Sequence, residues 1–331
     1  MSKPKIVIMG NGNDWCEKSL TDIKYYENTK LINTPLPYTT KGIVAKLIKL
    51  HYSQTIEKYF ELPFKRVWYS FFSKYISDNP NEPLVLVIYD RNRLANNIPF
   101  LMYLRNHFKT IKLVYVFTNI VKISGAGNNN FLDKLNDYFD VVYAFDPNDA
   151  IKYNFKYSPL VYSDNSDHNI EIEDDVFYIG RAKDRYSMLI SVFERLLSFG
   201  LKTNFSIYGV PESQQKYTDY IKYNVMVPYD EVLKHIQKAN CLLDVIQGES
   251  EGFTIKVCEA VFYNKLLITT NKKIYDAPFF NPNYIKVICD ANDITEEFFT
   301  NCDKVYYSQE DKSFFSVDTF LNRILVDTFG K

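Results

Sequence analysis

The sequence predicts an α/β protein built from two domains in tandem. Three observations carry this. Short apolar runs alternate with longer amphipathic stretches along almost the whole chain, which is the pattern of a parallel sheet wrapped by helices. The alternation breaks between Ser158 and Asp175, where Pro159, a Ser/Asp/Asn/His run and the acidic Glu171–Asp175 have linker composition, and restarts immediately afterwards. The length of 331 residues also exceeds the size at which a single core stops growing.

In the amino half, Lys5–Met9 reads as a buried strand followed by a polar turn at Gly10–Asp14, and Lys30–Asn33 as a second, weaker strand. Residues Gly42–Ile76 have helical period with a break at Pro63. Next come a strand at Leu84–Tyr89, a helix near Asn97–Phe108, and a strand at Ile111–Phe117. A Gly/Asn loop at 124–130, another helix and the strand Asp140–Phe145 complete the half. In the carboxyl half, strands are expected at Val176–Ile179, Phe205–Tyr208, Tyr223–Val227, Cys241–Ile246 and Leu266–Thr269. Helices are expected at Tyr186–Phe199, closed by Gly200, at Glu231–Lys238 and at Thr254–Tyr263. A last amphipathic helix, Val317–Phe329, follows a candidate cap at Ser316.

Composition narrows the function. With 46% apolar and 24% charged residues the chain is too apolar for disorder. Lys plus Arg total 39 against 40 Asp plus Glu, so the formal charge is −1, where a protein that grips a phosphate backbone is normally basic. Nucleic acid is therefore not an expected partner. Cysteines at 16, 241, 258, 289 and 302 include no Cys-x-x-Cys pair, and only four histidines are present, which argues against a disulfide framework or structural zinc. No apolar run approaches the ~20 residues that span a bilayer. A cytoplasmic protein is expected. Aromatics are abundant, with 27 Tyr and 25 Phe.

Ligands of open α/β sheets bind beyond the carboxyl ends of strands, so the loops there carry the candidates. Gly10-Asn-Gly-Asn-Asp14, containing Gly12, follows the first strand, but Trp15 stands where a dinucleotide fingerprint needs its third glycine. Tyr178-Ile-Gly-Arg181 ends the first strand of the carboxyl half, with Lys183 and Arg185 close behind, and three cations at a strand-to-helix junction suit a diphosphate. The run from Gly248 to Glu259 leads from a strand into a helix. Its glycines, including Gly252, let a ligand approach backbone N–H groups, and the helix dipole favours phosphate there. Thr254 and Lys256 fall in the first turn. Glu251 and Glu259, eight residues apart, share a face if the helix begins early enough.

These residues resemble those of nucleotide-sugar glycosyltransferases of the GT-B type, with bacterial enzymes of capsule and lipopolysaccharide synthesis as the nearest in flavour. The resemblance rests on Phe177–Arg181, Ile207–Gly209, Val227–Val232, Ala239–Asp244 and Glu251–Glu259, covering roughly 175–290. It implies two Rossmann-like domains facing a cleft, an acceptor domain over 1–160, a donor domain over 170–312, and a terminal helix over 313–331 packing back on the first domain. It further implies that Arg181 and Lys256 meet the donor diphosphate, that the loop Val227 to Tyr229 lies near the base, and that Glu259 binds the ribose hydroxyls. Glu251 matches the first acid of the two-glutamate pattern of retaining members, where it meets the donor sugar. In retaining members a lysine follows the Gly-Arg pair by about five residues, whereas Lys183 and Arg185 come sooner here. If the enzyme inverts, a base must deprotonate the acceptor hydroxyl. Asp14 is the first candidate and Asp90 the second.

The implied activity is a metal-independent hexosyl transfer from a nucleotide-diphosphate sugar, the only small molecule expected, to a glycan or lipid-linked glycan acceptor of the cell surface. No Asp-x-Asp is present to hold a metal. A nucleotide-sugar epimerase of the same fold and a non-catalytic nucleotide-sugar-binding subunit are the alternatives. Residues 42–76 carry Lys46, Lys49, Lys58, Lys65, Arg66 and Lys74 against Glu57 and Glu61, net +4, interleaved with aromatics. That composition suits peripheral contact with the inner face of the cytoplasmic membrane through Lys65, Arg66 and Trp68. It equally suits aromatics in the core with solvated lysines.

Overall fold

The computed structural model describes residues 3–34, 42–53, 64–92, 94–122, 132, 134–166, 170–248 and 250–330. They form two units, one from 1–145, 149–158 and 321–331, the other from 146–148 and 159–320. The break at Pro63, the basic and aromatic residues 57–61, the loop at 124–130 and the linker residues 167–169 lie outside the described residues.

The first unit holds a six-stranded sheet. Its strands are β1 (Lys5–Met9), β2 (Thr29–Ile32), β3 (Leu84–Tyr89), β4 (Ile111–Val116), β5 (Val141–Ala144) and β6 (Lys156–Tyr157). Their order is β2-β1-β3-β4-β5-β6 and every pairing is parallel. All six residues of β3 are buried, as a central strand covered on both faces requires. Around the sheet lie α1 (Asp14–Ser19), α2 (Gly42–His51), α3 (Tyr69–Ile76), α4 (Ile98–His107), α5 (Leu135–Tyr138) and α6 (Pro147–Lys152). Phe72, Phe100 and Leu104 from these helices pack on Val7, Leu86, Leu113 and Tyr115 of the strands. Asn97 caps α4 by accepting from the Phe100 N–H at 3.1 Å. The glycine turn is tight for a steric reason: a Cβ on Gly10 would lie 2.4 Å from Asn33 Oδ1 and 3.1 Å from Cys16 Sγ.

The second unit holds β7 (Asp174–Arg181), β8 (Thr203–Tyr208), β9 (Ile221–Tyr223), β10 (Ala239–Asp244), β11 (Leu266–Thr269) and β12 (Ile285–Val287). The order is β12-β11-β10-β7-β8-β9, again with parallel pairings. Its helices are α7 (Tyr186–Ser198), α8 (Tyr229–Gln237), α9 (Ile255–Phe262) and α10 (Gln309–Ser313), and α11 (Val317–Phe329) ends the chain. Phe193, Val257 and Val261 meet Val176, Phe205, Leu242 and Ile268 in its core.

Two expected strands are shorter than the apolar runs that announce them. Of the run Tyr223–Val227 only Tyr223 is strand, as the last residue of β9, because Asn224 turns left-handed at φ +57°. Its Oδ1 accepts from the N–H of Gly209 at 2.7 Å. The run Cys241–Ile246 stops at Asp244, whose side chain is needed elsewhere.

Helix α11 carries Ser316 at its start, where the hydroxyl accepts from the Thr319 N–H at 3.2 Å. Further along, Asp327 accepts from the buried Tyr143 hydroxyl at 2.6 Å and pairs with Lys156. Removing Asp327 takes from that phenol a hydrogen bond to a charged group, worth about 1.5–3 kcal/mol. Asp327→Ala is therefore expected to destabilise the protein by about that amount in urea unfolding and to speed amide exchange in 317–329, whereas an unchanged exchange profile would count against the tie.

Candidate active site

In the second sheet the chain winds outward from β7 through β8 and β9 on one side and from β10 through β11 and β12 on the other. Loops leaving β7 and β10 therefore diverge, and the crevice at their carboxyl ends is where open α/β sheets bind ligands. From β7 comes Arg181, exposed, its guanidinium 4.9 Å from the centre of the Tyr208 ring. Behind it the turn Lys183–Arg185 is strained, Lys183 sitting at φ +46°. Lys183 Nζ donates to Gln247 Oε1. Arg185 donates to the carbonyl of Val245 at 2.6 Å and to that of Arg181, so it fastens the two loops together. Gly180 is glycine because a Cβ there would meet the Tyr178 hydroxyl at 2.8 Å.

From β10 comes Asp244, buried, one carboxylate oxygen accepting from the Thr254 hydroxyl at 2.9 Å and the other from the Thr269 hydroxyl at 3.1 Å. Thr254 is also the N-cap of α9, its oxygen accepting from the Lys256 N–H at 3.2 Å. Lys256 and Glu259 are three residues apart and share a helix face. The Lys256 ammonium lies 5.4 Å from the Tyr178 ring centre. Burial pushes its pKa down, Asp244 and Glu259 pull it back up, and Arg185 lowers it again.

Glu259 is 3% exposed. Burial raises its pKa to about 7, against the opposing pull of the Tyr229 hydroxyl and Lys256. Tyr229 donates to Glu259 Oε1 at 2.7 Å, and its hydroxyl lies 3.3 Å from that of Tyr162, which in turn bonds Tyr263 at 3.4 Å. Among the described residues no second donor reaches the other Glu259 oxygen.

The turn before α9 is held by a residue distant in sequence. Asp146 Oδ2 accepts from the Ser250 hydroxyl at 3.0 Å and from the N–H groups of Glu251 and Gly252 at 2.8 and 3.0 Å. Asn271 donates to the carbonyls of the same two residues, at 3.2 Å each. The glycine-bearing turn is thus not an open phosphate cradle, since a carboxylate already fills it. Because α9 begins only at Ile255, Glu251 lies in the turn, and helical spacing does not bring it onto the Glu259 face.

The second unit thus places Arg181 and Lys183 at the carboxyl end of β7, and Thr254, Lys256 and Glu259 at and in the helix that follows its neighbour β10. Val227 packs half-buried against the core, and Tyr229 lies against Glu259. Gly12 and Asp14 belong to the first unit, where Gly12, at φ +81°, donates to Asn33 at 3.2 Å and Asp14 is the exposed first residue of α1. Asp90 is fully buried, its Oδ1 accepting from the N–H and hydroxyl of Thr118 at 3.1 and 2.6 Å, which suits loop support better than proton transfer. Sequence reasoning missed Asp244, Asp146 and Tyr162. Only Asp244 left a signal, as a lone charge ending an apolar strand. Among the described residues no group of three or more His, Cys, Asp or Glu is arranged to hold a metal.

No family model matches the chain, and no curated protein does. Solved structures do. An alpha-glucosyltransferase in complex with UDP-glucose and DNA containing an abasic site superposes with a TM-score of 0.59 at 11% identity, covering 98% of this chain and 99% of that one. A sucrose-phosphate synthase from Thermosynechococcus elongatus gives 0.48 at 11%, over 98% and 99%. Accessory secretory proteins 1, 2 and 3 of Streptococcus pneumoniae give 0.49 at 9%, over 79% and 56%. The first of these likenesses, over nearly the whole of both chains, together with the two parallel sheets, shows that the fold is that of GT-B glycosyltransferases.

Glu259 has a pH signature. Its folded pKa of about 7 lies above the ordinary carboxyl value of 4.5, so the native state binds the extra proton and stability falls as pH rises from about 4.5 through about 7. The full shift is worth on the order of 3 kcal/mol. Glu259→Gln should flatten that part of the profile and gain stability on wild type between pH 5 and pH 8 in urea titrations. Parallel profiles would show that the carboxyl titrates as it does in the unfolded chain.

Proposed function

We propose that the protein is a glycosyltransferase that moves a sugar from a nucleotide-diphosphate donor, bound in the second unit, to a glycan or lipid-linked glycan acceptor of the cell surface. The observation that carries this is the convergence of Arg181, Lys183 and Lys256 with the buried Glu259 at the β7/β10 switch point of a GT-B fold. Arg181 and Lys256 meet the diphosphate, whose charge grows as the glycosidic bond breaks, and fixed cations stabilise that charge without a metal. Glu259, with one oxygen committed to Tyr229, takes ribose hydroxyls on the other. The Val227–Tyr229 turn lies beside the base, Glu251 meets the donor sugar, and Asp14, exposed after the glycine turn, is the base for an inverting transfer.

Screening nucleotide sugars for thermal stabilisation identifies the donor, because a ligand at 100 times its dissociation constant adds ~2.7 kcal/mol. Free nucleoside diphosphate should then appear only when a glycan acceptor is supplied. Glu259→Ala should weaken donor binding at least about tenfold, as expected for loss of a hydrogen bond to a charged group. Arg181→Ala should lower kcat more than it raises KM. Full turnover in Arg181→Ala, or donor affinity unchanged in folded Glu259→Ala, would remove the respective assignment, and loss of activity on chelation would remove the metal-free mechanism.

The acceptor side includes a membrane contact in this reading, although not through Trp68. That indole is half-buried and donates to His51 at 2.6 Å, and Lys65 lies over the Tyr52 ring. Among the described residues of this segment the exposed apolar side chains include Ile43, Val44, Leu47 and Leu50 of α2, with Phe64 and Val67, beside exposed Lys46 and Arg66. No described helix is long and apolar enough to cross a membrane. An anionic leaflet attracts each nearby cation by ~1 kcal/mol, so Lys46→Glu/Arg66→Glu should reduce flotation with anionic vesicles at least about tenfold at unchanged melting temperature. Wild type that ignores such vesicles would end the membrane reading.

A further inference from the structure

At the carboxyl ends of α8 and α9 the second unit contains a cavity of about 180 Å³. Lys265, Lys312, Asn264, Gln237, Asp164 and Ser166 supply its polar lining, and Ile170, Ile172 and Phe262 its apolar walls. Lys265 is the unusual member. It stands only two residues beyond Tyr263, directly before β11, and is 8% exposed. Its ammonium donates to the carbonyl of Gln237 at 2.7 Å, where it closes the last turn of α8. Among the described residues that carbonyl is its one hydrogen-bond partner, and no carboxylate pairs with it. Burial alone pushes its pKa down to about 8. An ammonium has three donors and a full charge, and a buried charge without a counter-charge is unfavourable.

Asp164, the carboxylate of the lining, makes no ion pair with this amine among the described residues. Asp164 accepts from the Ser166 N–H at 2.9 Å, and its field falls on the Tyr263 hydroxyl, whose pKa is raised first by burial and further by Glu259 and Asp164. The cavity therefore carries in its lining two ammonium groups, Lys265 and Lys312, one carboxylate, Asp164, and the amides of Asn264 and Gln237. Its volume is below the ~300–1,000 Å³ of drug-sized sites, which limits an occupant to about one sugar ring.

We propose that this cavity binds a small hydroxylated organic anion, such as a sugar phosphate or sugar acid, with its anionic group on Lys265 and its hydroxyls toward Asp164. The site stands apart from the donor reading, since none of the residues assigned to the nucleotide sugar lines it. Calorimetric titration of the full chain with glucose 6-phosphate and with gluconate tests it, with neutral glucose as the control. At least one anion is expected to bind with a dissociation constant of about 1 mM or tighter. Lys265→Met should weaken that binding at least about tenfold and Lys312→Ala about threefold, whereas Arg181→Ala should leave it unchanged. Bound ligand should also shield Lys265 from acetylation by acetic anhydride, read by mass spectrometry, which decides the matter if Lys265→Met does not fold. No binding by either anion, equal binding of glucose, or an unshielded Lys265 would overturn the proposal. Binding lost in Arg181→Ala but kept in Lys265→Met would assign the anion to the β7/β10 loops and overturn it equally.

Discussion

The candidate site depends on one buried carboxylate. Asp244 is out of contact with water at the end of β10, and a desolvated charge is tolerated only where hydrogen bonds satisfy it. Thr254 and Thr269 supply those bonds, so the need to satisfy a single charge draws the start of α9 and the end of β11 to the same point. Thr254 spends its proton on Asp244 and its lone pair on the Lys256 N–H, which makes one hydroxyl both anchor and helix cap. The register of α9 is thereby fixed against the sheet. With it are fixed the positions of Lys256 and Glu259, which the Tyr178 ring and the Tyr229 hydroxyl then meet.

The same economy governs where an anion can go. A helix N-terminus offers N–H groups to negative charge, but in the turn before α9 the N–H groups of Glu251 and Gly252 already face the Asp146 carboxylate. A phosphate placed there would meet like charge. Negative charge is tolerated instead on the side of Arg181, Lys183 and Lys256, while the Ser250–Gly252 turn presents a rigid, internally satisfied surface, held by Asp146 through its donors and by Asn271 through its acceptors. In the proposed reading this divides the donor between a cationic edge for its diphosphate and a neutral face for its sugar.

How much of this was legible in the sequence follows from the range of the interactions. The alternation of strand and helix is local, and it indicated the class of both sheets; Lys5–Met9 and Leu266–Thr269 coincide with their apolar runs. Run length failed where a side chain ended a strand early. Asn224 could turn left-handed because its amide caps the Gly209 turn, and Asp244 was taken by two hydroxyls. Short edge strands such as β6 and β12 carry too few residues to show a period. Arg181, Lys183, Lys256 and Glu259 were legible as site candidates because they fall within short motifs. Asp146 was not, since its partners lie 104 to 106 residues further along the chain and nothing in Phe-Asp-Pro distinguishes it from an ordinary turn. The phenol chain from Tyr263 through Tyr162 to Tyr229 was hidden for the same reason, in a sequence where tyrosine is too common to be a signal.

Lys256 and Glu259 show why these two residues belong together. Burial acts on each to discharge it, pushing the ammonium's pKa down and the carboxyl's up, while each opposes that effect on the other. Such a pair is sensitive to whatever charge arrives next to it. A diphosphate beside Lys256 supplies a second counter-charge and favours the ammonium, and the charged ammonium in turn favours the carboxylate of Glu259. Hydroxyl donors on the open oxygen of Glu259 act in the same direction, because they bond more strongly to a carboxylate than to a neutral acid. Burial thus works against the charge of both groups, and one ligand bearing both a diphosphate and vicinal hydroxyls would favour the charged form of both. An isolated phosphate or an isolated sugar would meet only half of that arrangement.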